Sequence, residues 1–226
     1  MKKFFIFTFA AIAFWSCSDD DDTSTVDSST PLYQNYRVEF NSTLEKTYAS
    51  ANFNKENAQG ESVILSGTSF VQFNGQNPEF VDNGPFLYNF TFPGMDIVEF
   101  SLTRKSGETY SNSVSPDDIS PLAIVNSYNE ISLQFGGTTF VWFGKPVGEG
   151  ETVLARIVTN SGEYDFKTSE VGSISVNIAL PPTVTPGTAQ FYVSRIKTLN
   201  LQQSDKGAGG KIDVLYTSEK EVQLVQ

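Results

Sequence analysis

The run SISVNIAL, residues 173–180, alternates apolar and polar side chains with a period of two. In an extended strand that period places Ile174, Val176, Ile178 and Leu180 on one face. No stretch after Tyr33 sustains a period of 3.6, so nothing in the body reads as an amphipathic helix. Short alternating runs recur instead, punctuated by Gly, Asn and Pro. In the first half they are 36–40, 47–53, 62–67, 69–74, 86–92 and 96–104. In the second half they are 130–135, 139–144, 152–158, 163–168, 173–180, 189–196 and 211–217, with a final edge piece at 221–225. The chain carries 19 Phe and 9 Tyr, residues that fit a pleated, half-buried surface. The expected fold class is all-β.

The segment SPDDISP, Ser115–Pro121, puts two prolines and two acids into seven residues and is the best boundary in the chain. The expected organisation is two tandem β-sandwich modules, residues 33–116 and 117–226, preceded by a signal peptide at 1–16 and a tether at 17–32. An internal echo agrees with two related modules. GESVIL at Gly60 returns as GETVLA at Gly150, and EFSLTR at Glu99 returns as QFYVSR at Gln190.

The segment SISVNIALPPTVTPGTAQFYVSRI, residues 173–196, resembles the E strand, corner and F strand of fibronectin type III and immunoglobulin-like modules. Pro186, Gly187, Thr188, Phe191 and Val193 carry the likeness, and Gln190 stands where the fibronectin spacing would put a corner tyrosine. The resemblance implies an immunoglobulin-like sandwich for the second module, with Trp142 of FVWFG as its core tryptophan.

The N-terminus is an address. Lys2 and Lys3 precede a twelve-residue apolar run, Phe4–Trp15, too short to span a bilayer and suited to a signal-peptide core. Ser16 and the chain's one cysteine, Cys17, follow. This resembles a bacterial lipoprotein signal, in which cleavage before the cysteine is coupled to its acylation. Phe14 and Trp15 depart from that family's usual Leu and small residue. More than one acyl chain, at about 0.8 kcal/mol per buried methylene, gives stable attachment. The following SDDDD, Ser18–Asp22, resembles the export signal of surface lipoproteins in the Bacteroidetes group. Four consecutive aspartates and the Ser/Thr residues after them read as a solvated tether. The implied location is the outer membrane, at the cell surface, with a periplasm-facing arrangement as the alternative.

Chemistry is sparse. The chain has no histidine, which removes the commonest general base and zinc ligand, and a single cysteine forms no internal disulfide. Net charge is −11, and loss of the first 16 residues leaves 13 basic against 26 acidic residues, a balance that repels nucleic acid. KGAGGK, residues 206–211, lacks the spacing of a phosphate loop and reads as a hairpin tip. The acid pairs Asp117–Asp118, Glu149–Glu151 and Glu219–Glu221 lie in the boundary segment or in turns, without the apolar surroundings that a general acid needs. The segment 73–90 mixes Phe80, Phe86 and Tyr88 with Asn and Gln, the composition of a surface that stacks sugar rings or of an anchored loop. No cofactor or metal site is expected. The expected function is a lipid-anchored cell-envelope binding, adhesion or scaffold protein without catalytic activity. Its partners would be the membrane, through the lipid on Cys17, and an envelope protein or glycan. A carbohydrate-binding accessory lipoprotein of a glycan-uptake system is the alternative, and a glycoside hydrolase ranks below it.

Overall fold

The computed structural model describes residues 29–82, 87–134 and 137–226. The architecture is all-β, and the only helical pieces among these residues are two three-residue 3-10 turns, Pro116–Asp118 and Asp205–Gly207. Seven strands precede the first of these turns: β1 (Leu32–Asn41), β2 (Lys46–Lys55), β3 (Phe70–Phe73), β4 (Glu79–Phe80), β5 (Tyr88–Pro93), β6 (Val98–Thr103) and β7 (Thr109–Val114). Nine follow: β8 (Leu122–Ala123), β9 (Glu130–Ser132), β10 (Thr138–Val141), β11 (Phe143–Gly144), β12 (Glu151–Thr159), β13 (Gly162–Thr168), β14 (Ser175–Ile178), β15 (Gly187–Asn200) and β16 (Gly210–Val225).

One sheet runs through the body in the order β13-β12-β15-β16-β1-β2-β5-β4, with β9 also paired to β16. Smaller sheets, β3-β6-β7, β10-β14 and β8-β11, complete the sandwich. Two hydrophobic cores result. The first gathers Tyr36, Phe53, Phe73 and Phe100, with the Tyr36 and Phe100 rings stacked at 4.3 Å. The second gathers Phe140, Trp142, Ile157 and Phe191, with Phe140 edge-on to Phe191 at 4.9 Å.

The long hairpin β15–β16 serves both cores. Its residues Ile212 and Val214 are buried in the first core, and Phe191, Val193, Val222 and Leu224 in the second. All four β16 positions are even-numbered, so period two puts them on one face of the continuous sheet. Both cores therefore share that face, and the opposite face of the same strands is the more open one, although Leu215 and Thr217 on it are buried. β1 pairs with β16 in parallel, from Gln34 opposite Gly210 to Asn41 opposite Thr217, which ties the start of the body to its end.

Several sequence expectations resolve differently. The runs 211–217 and 221–225 are one strand of 16 residues, β16, because both halves have buried partners. Residues 62–67 form no strand beyond one bridge, Asn54 to Ser62, yet Val63 is buried and its amide donates to the Phe53 carbonyl at 2.8 Å. The run 139–144 breaks at buried Trp142, whose indole Nε1 donates to the Lys145 carbonyl at 3.0 Å. Within SISVNIAL, Val176 and Ile178 are buried as expected, but Ile174 precedes β14 and is exposed. β7 carries no strong sequence signal, since TYSNSV offers one aliphatic side chain. Ser115–Pro121 forms a capped turn: Ser115 Oγ accepts from the Asp117 amide, and Asp118 accepts from the Ser115 amide at 2.7 Å.

Candidate functional site

A sandwich has two open sides, where the edge strands of its facing sheets part. On one such side of the first core, β3 is an edge of the small sheet and β4 an edge of the large one. Between them lies a groove of about 420 Å³, lined by Leu65, Ser69–Gln72, Asn77, Pro78, Phe80 and Tyr88.

Each wall follows from strand periodicity. In β3, Val71 and Phe73 point into the core, so Phe70 and Gln72 point out. Phe70 is 43% exposed despite its size. In β4, Phe80 is paired in register with Tyr88 of β5 and lies at the sheet margin, 44% exposed. Tyr88 packs inward against Phe53, with ring centroids 5.8 Å apart, and meets Phe80 at 5.7 Å. Its hydroxyl accepts the Leu65 amide at 2.7 Å, and burial pushes its pKa up, so it stays neutral and fixed. Polar groups sit beside the rings: Gln72 Nε2 donates to Asn77 Oδ1 at 3.2 Å. The Phe73 amide and carbonyl are both bonded to Gln76, at 2.8 and 2.9 Å, which turns the chain tightly between the two walls. No lining residue is an acid or a base. The groove presents flat apolar faces and neutral amides, a combination that binds and orients a ligand without proton transfer.

Of the residues singled out in the sequence, Phe80 and Tyr88 come together here, Phe80 open to solvent and Tyr88 largely buried beneath it. Phe86 and Cys17 lie outside the described residues. Phe70 was not singled out. Its signal is the alternation in SFVQF: once Val71 and Phe73 face the core, Phe70 must be a large aromatic facing water.

A second concavity, of about 460 Å³, lies on the solvent face of the continuous sheet. Its floor is the Ser194–Thr217 hydroxyl pair at 2.9 Å, and Tyr192 lines it. Its charges are already matched. Arg156 grips Asp165 bidentately at 2.7 and 2.8 Å and so holds that carboxyl below its ordinary pKa, while Arg37 lies 3.4 Å from Glu39. Burial, then the nearby Glu219, Glu163 and Glu39 carboxylates, raise the Tyr192 pKa.

One member of each acid pair is structurally occupied. Glu151 is buried and ion-paired with the fully buried Arg195, which also donates to the Lys145 and Pro146 carbonyls. Asp118 caps its turn, and Glu219 accepts from Asn41 Nδ2 at 2.9 Å. A second buried ion pair, Arg104 with Asp205, was not visible in the sequence because its partners lie 101 residues apart. Asp205 also accepts the Leu32 amide at 2.8 Å and Arg104 donates to the Thr30 carbonyl at 2.8 Å, so this pair fixes the point where the chain enters the body. Among the described residues no group of three or more Asp, Glu, Cys or His side chains is placed to hold a metal ion.

Neither a protein-family model nor a curated protein matches this chain. The groove's geometry and chemistry therefore carry the functional reading.

Proposed function

We propose that this chain is a lipid-anchored binding protein of the cell envelope that works by adhesion or capture, without catalysis. The observation that carries the reading is the groove between β3 and β4, where Phe70 and Phe80 hold their rings toward solvent. Each ring is a little under half exposed, so it forgoes somewhat less than half of the about 1.5–3 kcal/mol that full burial supplies, a cost that a ligand covering it would offset. The anchor is the lipid on Cys17, and the aspartate run holds the body away from the bilayer. The body sits at the outer-membrane surface. Its partner is an envelope protein or a glycan.

The second module is read as immunoglobulin-like. Support comes from the sheet order β13-β12-β15-β16 facing the β10-β14 pair across one core, from buried Trp142, and from the Pro-Gly-Thr corner that opens β15. The long β15–β16 hairpin joins the two cores in one unbroken register, which suits a rigid body that presents the groove beyond the tether.

Cys17→Ser tests the anchor. The wild-type N-terminal peptide is expected to begin at Cys17 and carry acyl mass, and the variant to lack that mass and keep its uncut leader, since cleavage and acylation are coupled. A wild-type N-terminal peptide without acyl mass refutes lipidation as the attachment.

A further inference from the structure

We infer that the ligand of this groove is a neutral glycan chain, and that its track continues from the groove onto the outer face of the β3-β6-β7 sheet. The inference rests on the binding reading above and names the ligand class for that site.

The outer face is set by period two. The core side of these strands holds Val71, Phe73, Val98, Phe100, Leu102 and Val114. The alternate residues look outward, and the register sorts them into cross-strand rows. One row is Phe70, Thr103 and Thr109, and the next is Gln72, Ser101 and Ser111. Only Glu99, opposite Ser113, carries a charge on this face. A shallow hollow of about 390 Å³ lies over the Ser and Gln rows, with Glu99 also in its lining, and shares Gln72 with the aromatic groove, so the two recesses adjoin.

The solvent face of the large sheet is built differently, with Arg37, Glu39, Arg156 and Asp165 in paired positions. On a chain of net charge −11, an outer face made almost wholly of hydroxyls and amides stands apart. The chain's own negative field disfavours an acidic ligand there, and a face with one carboxylate, Glu99, offers a basic ligand little to pair with. Hydroxyls and amides both donate and accept, which matches the hydroxyl groups of a sugar, and the Phe70 and Phe80 rings offer flat apolar faces to its C–H side.

An extended peptide fits less well. Its main chain would need a long free sheet edge, and the edges here are short and partly occupied. Along β7, the Ser111 and Ser113 amides donate to the Gln203 and Gln202 side chains at 2.9 and 3.0 Å. Along β3, the Phe73 edge is closed by Gln76, and Pro78, which has no N–H, lines the groove.

The experiment uses the full lipidated protein in mild detergent. Its capture is measured on purified envelope material before and after periodate oxidation of vicinal diols, and its migration is measured in native gels cast with dextran, starch, mannan or xylan. Phe70→Ala, Phe80→Ala and Ser101→Lys are compared with wild type, with Arg156→Ala on the opposite face as the control and Trp142 fluorescence as the folding check. Expected results are capture abolished by periodate, retardation by at least one neutral polysaccharide, and affinity reduced about tenfold or more in each of the three variants but not in the control. Capture that survives periodate but is lost in the Phe variants overturns the glycan assignment and leaves the groove as a protein-binding site. Capture equal in wild type and the Phe variants overturns the groove itself. Full retardation in Ser101→Lys overturns the extension across the sheet face.

Discussion

Replacing Arg195 by Met breaks a buried ion pair while keeping most of the side chain's apolar volume. Arg195 is fully buried, and its guanidinium donates to Glu151 and to the carbonyls of Lys145 and Pro146. The substitution leaves Glu151, 9% exposed, as an uncompensated carboxylate that still accepts from the Gly148 amide at 2.9 Å. Two carbonyls lose their guanidinium donor as well. Removing one partner of a buried pair costs about 3–5 kcal/mol. At about 2–4 °C per kcal/mol for a body of this size, the melting temperature should fall by roughly 6–20 °C. Trp142 reports the change directly, because its indole donates to the same Lys145 carbonyl at 3.0 Å. Urea unfolding followed by Trp142 fluorescence measures the loss. The double variant Arg195→Met/Glu151→Leu buries no charge and should recover at least about 2 kcal/mol of it. A single variant that loses less than about 1 kcal/mol, or a double variant no more stable than the single, would refute the claim that the cost is the stranded carboxylate.

Two further perturbations probe the cores. The Tyr128 hydroxyl is buried without a hydrogen-bond partner among the described residues, so Tyr128→Phe should leave stability unchanged or raise it by up to about 1 kcal/mol, and a clear loss in thermal unfolding would refute that reading. Burial lifts the Tyr128 pKa to about 12 and raises that of Tyr36 as well. The folded state therefore holds these protons more tightly than the unfolded chain. Their stabilisation is complete below pH 10 and falls as pH rises through the folded values, so Tyr128→Phe should flatten the alkaline decline measured between about pH 10 and 12. At Gly60 an added Cβ would stand 1.8 Å from the Lys55 carbonyl, so Gly60→Ala should cost about 1–3 kcal/mol in urea unfolding, and a neutral result would contradict the tight 55–60 turn.

The internal echo shows what repetition in sequence does and does not transfer. EFSLTR and QFYVSR both end in a buried arginine, Arg104 and Arg195, each paired with a carboxylate in or beside its core. The strands differ, however: Arg104 follows β6 of a small sheet, and Arg195 sits in β15 at the centre of the large one. GETVLA is in β12 and its Glu151 is the buried ion-pair partner, whereas GESVIL forms no strand and its Glu61 makes a surface pair with Lys55 at 2.6 Å. The same local pattern served different packing because its neighbours differ.

Composition and period two were enough to determine the all-β class and most strand positions, because the alternation of buried and exposed side chains is a local property of the extended chain. Phe80 and Tyr88 were legible as aromatics among amides for the same reason. Only the tertiary structure decided which aromatic faces water. Tyr88 is covered because β5 lies within the large sheet, whereas Phe70, turned outward by alternation, stays open because no described element packs on the outer face of its sheet. The continuous sheet, the β15–β16 hairpin shared by both cores, and the Arg104–Asp205 and Arg195–Glu151 pairs likewise depend on partners 44 or 101 residues apart. Periodicity records which face of a strand is buried. The neighbour that buries it is chosen by long-range packing, which leaves no local mark in the sequence.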